Sequence, residues 1–187
     1  MMQQTPYKNI EQRFINGNVE MFKGDKKYSY QPTESLFLNA YVFDLTLGNN
    51  SAAGTKLRDE IKSDIISKVG KPPYLNSLID AIGEAIQNAY MNKENEPYPD
   101  IYATLTIDDK KDITIDIMNS GTIDKVAEVS KKLKLIKSKE DIIPYLKMKI
   151  MKREGGGLGL PVMALSTDRL QYTQVENLSI ISMTKIN

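Results

Sequence analysis

Four glycines fall within five positions, Gly155, Gly156, Gly157 and Gly159, after a basic stretch and before an apolar one. Glycine adopts positive φ without a steric penalty, so successive amide N–H groups can turn toward one point and form a hollow that binds an anion such as phosphate. No Gly-Lys-Ser/Thr follows, and the third glycine of a dinucleotide-binding fingerprint would fall on Leu160, which excludes both of those loops. A flexible hinge or a helix C-cap remains the alternative.

A carboxylate and an amide lie four residues apart at Glu84 and Asn88. On a helix this spacing places the two side chains one above the other on one stripe. The amide oxygen can coordinate Mg²⁺, and the carboxylate can accept a proton or position a water molecule. An ordinary solvated helix face is the alternative, and the pair alone does not decide between the two.

Composition limits the classes of function. The chain has 187 residues, of which 41% are hydrophobic, and a formal net charge of +1, which predicts a single domain over residues 1–187. Because cysteine and histidine are absent, any reaction must use carboxylates, amides, hydroxyls, lysines and backbone groups. The balanced charge, the polar start and the lack of a long apolar run predict a cytoplasmic protein without nucleic-acid or membrane partners.

Helical periodicity predicts the element that positions Glu84 and Asn88. Apolar residues recur at helical spacing in residues 52–69 and again in residues 75–92. On a helical wheel, Ser77 and Ala81 share the side of Glu84 and Asn88 in the second of these helices. The opposite side is apolar and should face a core: Leu75, Leu78, Ile79, Ile82, Ala85, Ile86 and Ala89.

Strands are predicted next to this helix and at the end of the chain. Residues 101–107 and 113–118 alternate between apolar and polar side chains around a turn at 108–111, which favours a hairpin. Residues 158–165 should begin a helix directly after the glycines, and residues 178–186 should form a final strand.

The first part of the chain gives a weaker pattern. Residues 1–18 favour a loosely ordered start, and residues 18–30 favour an edge hairpin. Residues 31–47 combine a helix-start pattern with a β-branched, aromatic run, so they fit either a helix or a strand.

The order of these features resembles the GHKL ATP-binding domain, which gyrase, the large heat-shock chaperone, histidine kinases and MutL share. The resemblance covers about residues 75–187. In size the chain is most similar to the small anti-sigma-factor serine kinases. Glu84 and Asn88 match the E-x-x-x-N box of the family, and Asn119 and Gly121 occupy its D-x-G box. The G-x-G-L-G-L box is matched by Gly155, Gly157, Gly159 and their neighbours.

The resemblance implies a fold, two cofactors and a set of roles. The fold is the Bergerat α/β (α+β) two-layer sandwich, with a mixed, mostly antiparallel sheet covered on one face by helices. The cofactors are ATP and Mg²⁺. Glu84 would be the catalytic base and Asn88 the Mg²⁺ ligand. Asn119 and Gly121 would hold the adenine ring. The backbone from Gly155 through Gly156, Gly157, Leu158 and Gly159 would wrap the phosphates.

Asn119 departs from the family, which normally has an aspartate that accepts a hydrogen bond from the adenine amino group. An amide oxygen can accept the same bond, but an amide can also be flipped to suit guanine. The choice between adenine and guanine is therefore open. The alternative interpretation of Asn119 is a plain turn residue before Ser120 and Gly121. The Gly-Thr box of the family is not evident before the last strand, where Ser179 is a weak candidate.

Residues 122–154 would form the ATP lid, since they lie between the D-x-G and glycine boxes. They contain ten basic and five acidic residues in an otherwise balanced chain. Lys152 and Arg153 lie close before the glycines and could reach the γ-phosphate, although a solubilising face explains such residues equally well.

Within the family, the absence of histidine and of a further domain favours a stand-alone serine/threonine protein kinase of the anti-sigma-factor type. It would phosphorylate and sequester a protein partner, either a sigma factor or an anti-sigma antagonist. The alternatives are a non-catalytic, nucleotide-gated binding switch and a detached ATPase domain like that of histidine kinases. A homodimer is a further expectation, with residues 28–47 as its interface.

Overall fold

A computed structural model describes residues 13–15, 18–23, 26–30, 37–43, 50–91, 101–120, 131, 140, 142–144, 147, 159–175 and 178–187. Two sheets and three helices have their bounds within these residues. The helices are α1 (Asn50–Val69), α2 (Leu75–Met91) and α3 (Gly159–Ser166). The strands are β1 (Arg13–Ile15), β2 (Asn18–Lys23), β3 (Lys26–Tyr30), β4 (Phe37–Phe43), β5 (Ile101–Ile107), β6 (Ile113–Ser120), β7 (Arg169–Val175) and β8 (Leu178–Lys185).

The larger sheet has the strand order β4-β5-β6-β8-β7, and each of its neighbouring pairs is antiparallel. Strands β1, β2 and β3 form a separate antiparallel sheet. The predicted α+β class is confirmed, with a sheet packed against helices. The parallel component that a mixed sheet would require does not occur among the described strand pairs.

Helix α2 lies at the centre of the core, as its apolar stripe predicts. All seven side chains predicted to face the core are buried. They join Leu57, Ile61 and Ile65 of α1 and alternate residues of β5 and β6 in one cluster. Because alternate residues of a strand face the same side, this cluster identifies the sheet face that the helices cover.

Burial differs among the residues that share the side of α2 with Glu84 and Asn88. Ala81 shares a wheel side with Glu84, yet it is fully buried. Helix α3 packs against α2, and Met163 of α3 is itself fully buried. The side of α2 that carries Glu84 and Asn88 is therefore covered in part by a second helix.

Two segments differ from the sequence prediction. Strand β7 was not predicted, because an edge strand with exposed Arg169, Gln171 and Thr173 carries a weak apolar pattern. The ambiguous segment 31–47 contains β4, whose Tyr41 hydroxyl donates a hydrogen bond to Asp64 of α1. Residues 1–18 were predicted to be loosely ordered. Within them, residues 13–15 form β1, and the first twelve residues lie outside the described part of the chain.

Turns at the ends of these elements follow ordinary rules. Gly70 ends α1 with φ 83°, and its N–H donates to the Ile66 carbonyl at 3.0 Å, as a glycine C-cap does. The β5–β6 turn is closed by Asp108, whose Oδ1 accepts hydrogen bonds from the N–H groups of Lys110 and Asp112. None of the helices in the described part of the chain is long and apolar enough to cross a membrane.

Candidate functional site

The last turn of α2 is joined to the end of β6 through Asn119. The Nδ2 atom of Asn119 donates a hydrogen bond to the Ala89 carbonyl at 3.1 Å, and the side chain is 5% exposed. Ala89 lies within the last four residues of α2, where backbone carbonyls have no partner inside the helix. Asn119 therefore caps the end of the helix that carries Glu84 and Asn88.

Glu84 and Asn88 lie against the first residue of α3, which is Gly159. A Cβ atom at Gly159 would lie 2.6 Å from Glu84 Oε2 and 3.1 Å from Asn88 Nδ2. The structure thus brings together Glu84, Asn88 and Gly159, which come from two of the boxes identified in the sequence. Both side chains on α2 are partly buried.

The N-terminus of α3 makes this contact electrostatically favourable. The first N–H groups of a helix lack partners inside the helix, and the helix dipole places partial positive charge there. The carboxylate of Glu84 places a negative charge beside these groups. At an exposed helix N-terminus, such a charge interacts favourably by about 0.3–1 kcal/mol. A helix end of this kind also suits a phosphate group.

Ser179 lies directly opposite Asn119 in the pairing of β6 with β8. It is 2% exposed, and its Oγ has no hydrogen-bond partner of ordinary geometry among the described residues. Tyr172 of β7 lies close by. Burial raises the pKa of Tyr172, although a weaker interaction with Ser179 acts in the opposite direction. The weak sequence candidate Ser179 therefore lies beside Asn119 on the face that the helices cover.

The remaining predicted site residues lie outside the described residues. They are Gly121, Lys152, Arg153, Gly155, Gly156, Gly157 and Leu158. Most of the predicted lid, residues 122–154, lies outside as well, while its residue Lys147 is described as exposed. Their roles stay predictions.

A magnesium ion would find few protein ligands here. The described residues contain no group of three or more acidic side chains that could hold a metal ion. Mg²⁺ typically keeps several waters and is held by one or two protein oxygens together with substrate phosphates. One amide oxygen from Asn88 beside the Glu84 carboxylate fits an ion held mainly by substrate phosphates and water. It does not fit an ion held by protein ligands alone.

No protein-family model and no curated protein matches this chain. A chain in the crystal structure of the SiaB–SiaC complex from Pseudomonas aeruginosa is similar in structure, with a TM-score of 0.58 and 12% sequence identity. The similarity covers 76% of this chain and 87% of that chain. At this identity the comparison establishes a shared fold, and that fold occurs in a complex of two proteins.

Proposed function

We propose that this chain is a GHKL-type protein kinase that binds Mg²⁺ and ATP and transfers the γ-phosphate to a serine or threonine of a partner protein. The observation that supports this most is the contact of Glu84 and Asn88 with Gly159 at the N-terminus of α3. A base, a magnesium ligand and a phosphate-binding helix end would need to lie this close together for phosphoryl transfer.

In this proposal the residues of α2 have separate roles. The oxygen of the acceptor hydroxyl bonds to the γ-phosphorus as the bond from phosphorus to the β–γ bridging oxygen breaks, and ADP leaves. Glu84 takes the hydroxyl proton. Asn88 would hold Mg²⁺, which would supply positive charge to balance the phosphates.

The orientation of Asn119 supports adenine as the base. Its NH₂ group is held by the Ala89 carbonyl, so a flip would place two oxygens against each other and leave that carbonyl without a donor. An unpaired buried acceptor costs about 1–3 kcal/mol. The fixed orientation leaves Oδ1 for the base, and an acceptor suits the amino group of adenine and repels O6 of guanine.

The partner in this proposal is a protein. The similar fold in the SiaB–SiaC complex supports a protein partner, because that structure contains two proteins. A partner of the sigma-factor or anti-sigma-antagonist type, and a homodimer of this chain, are parts of the same proposal that follow from the family resemblance.

Calorimetry with Mg-ATP, Mg-ADP and Mg-GTP tests the nucleotide site. We expect Mg-ATP to bind at least about tenfold more tightly than Mg-GTP, which corresponds to about 1.4 kcal/mol. Asn88→Ala should weaken the binding of Mg-ATP while the binding of metal-free ATP changes less. Failure of all three nucleotides to bind at millimolar concentration would contradict the proposal.

A nucleotide-gated switch without useful catalysis is the second candidate. The capped end of α2 and the buried Asn119 support it, since they would hold a base whether or not Glu84 acts. An ATP hydrolysis assay distinguishes the switch from the kinase, because water can replace the acceptor hydroxyl in a kinase. Turnover above the buffer rate supports the kinase, and tight binding with no turnover supports the switch.

A further inference from the structure

We infer that Gly159 is a positioning residue for Glu84, so that glycine is needed at this position to leave space for the carboxylate. The inference rests on the proposed function and deepens it. The resemblance assigns this glycine to phosphate binding through its backbone, whereas the structure assigns a second requirement to the missing side chain.

The distances at Gly159 carry this inference. A Cβ atom there would lie 2.6 Å from Glu84 Oε2, 3.1 Å from Asn88 Nδ2 and 3.5 Å from Glu84 Cβ. Non-bonded heavy atoms are most favourably placed at about 3.5–4.0 Å, so the first of these contacts cannot exist without movement. The carboxylate must move most, and the Asn88 amide by a few tenths of an ångström.

Backbone conformation does not explain the glycine. Among the described glycines, positive φ occurs at Gly70 and not at Gly159. Gly159 is the first residue of α3, so the preference of helix interiors for alanine over glycine does not account for it either. A side chain at this position would therefore act by displacing the Glu84 carboxylate and the Asn88 amide.

Displacement of Glu84 has a consequence for catalysis. The carboxylate lies at the N-terminus of α3, where the proposal places the γ-phosphate. A side chain at Gly159 would turn it away from that point, and a shift of about 1 Å in a reacting group lowers rates by up to about 100-fold. The base would remain in the protein but out of reach of the acceptor hydroxyl.

Gly54 provides a matched control. It also lies in a helix, near the start of α1, and its φ is not positive. A Cβ atom there would meet Ile86 Cγ2 at 3.7 Å, an ordinary contact. Gly54→Ala should therefore raise the midpoint of thermal unfolding by about 2–4 °C, the usual gain for this exchange in a domain of this size.

The first measurement needs no nucleotide. Gly159→Ala is introduced into the wild type and into Glu84→Ala, and the four unfolding midpoints are compared. Because the end of the Glu84 side chain can turn aside, the test is the difference between the two backgrounds: we expect Gly159→Ala to shift the midpoint at least about 2 °C more favourably when Glu84 is truncated. An equal shift of the midpoint in both backgrounds would overturn the inference.

The second measurement reports on position rather than stability. ATP hydrolysis at saturating Mg-ATP is measured for Gly159→Ala in the wild type and in Glu84→Asp, whose shorter side chain leaves room for a methyl group. We expect Gly159→Ala to lower the hydrolysis rate by at least about tenfold in the wild type and by less than about threefold in Glu84→Asp. Equal losses in the two backgrounds would overturn the inference. A wild type that binds no nucleotide would contradict the proposed function alone, since the unfolding midpoints still test the contact.

Discussion

The two ends of the larger sheet use polar residues in different ways. At one end, Glu84, Asn88 and Gly159 meet beside Asn119; we call these four residues the site end. At the other end, Asp112, Asp168 and Lys185 form the closed end. Helix α2 and strand β6 run from the closed end to the site end, so the same elements supply both.

The acids of the closed end are bonded to neighbouring parts of the chain. Asp168 forms an ion pair with Lys185 at 2.9 Å and accepts a hydrogen bond from the N–H of Ile186 at 2.9 Å. Asp112 accepts one from the N–H of Asn187 at 3.0 Å. These contacts fix the strand end beside the β5–β6 turn, so the acids contribute to stability.

At the site end the acid lies against a helix N-terminus instead of a fixed cation. A phosphate can also use the N–H groups at that terminus. Acids joined to protein donors stabilise the fold, whereas the acid beside the helix end is the one to which the proposed function assigns a role on the nucleotide. Four variants test this distinction.

The largest effect should come from Glu84→Gln. The amide keeps the size of the side chain but cannot accept the proton, so the rate of phosphoryl transfer or ATP hydrolysis should fall by about 100-fold or more. Mg-ATP affinity and the unfolding free energy should change little. Calorimetry and a hydrolysis assay on the same preparation measure both, and a rate within threefold of the wild type would remove Glu84 as the base.

Asn119→Asp should come next, although aspartate is the usual residue at the matching position of the family that the sequence resembles. It replaces the donor to the Ala89 carbonyl with an oxygen, so the unfolding free energy should fall by about 1–3 kcal/mol. Chemical denaturation measures the change. Asn119→Ala is the control, because it removes the hydrogen bond without adding a charge. If the aspartate variant is as stable as the wild type, the capping role of Asn119 is wrong.

A smaller effect is expected at the closed end from Asp168→Asn. It removes the ion pair with Lys185, and partly exposed pairs of this kind contribute about 0–1 kcal/mol. The unfolding free energy should fall by about that amount while the hydrolysis rate stays unchanged. Asp109→Asn, in the exposed turn, is the control. A loss of hydrolysis in Asp168→Asn would show that the two ends are not separate.

The smallest effect concerns alkaline pH. Burial raises the pKa of Tyr74, and Asp112 and Asp168 of the closed end raise it further. A phenol with a raised folded pKa stabilises the fold fully below its unfolded pKa of about 10, and this contribution is lost as pH rises through the folded pKa. Denaturation midpoints between pH 8 and 11 should fall less steeply for Tyr74→Phe than for the wild type. Identical slopes would exclude the effect.

Sequence periodicity was enough to predict α2 and its core face, because seven apolar side chains repeat at helical spacing. The pairing of Glu84 with Asn88 followed from the same periodicity. The burial of Ala81 did not, since a helical wheel shows which residues share a side and not which element covers that side. The contact of Asn119 with the Ala89 carbonyl has no sign in the local sequence, because it depends on where β6 ends relative to α2.

Glycine at position 159 shows the same limit. The sequence indicates a phosphate-binding segment, but only packing of α3 on α2 shows how close Glu84 and Asn88 come to it. Edge strand β7 was missed for a related reason. Its exposed side chains weaken the pattern, and its place in the sheet depends on pairing with β8.

Amide NMR during addition of Mg²⁺ and a non-hydrolysable ATP analogue tests the central claim most directly. Signals of the Gly159 backbone amide and of the side-chain amides of Asn88 and Asn119 should shift or broaden with the analogue. Backbone signals of Asp112 and Asp168 at the closed end should stay unchanged. Saturating analogue that leaves the Gly159, Asn88 and Asn119 signals in place would contradict a nucleotide site at this end of the sheet.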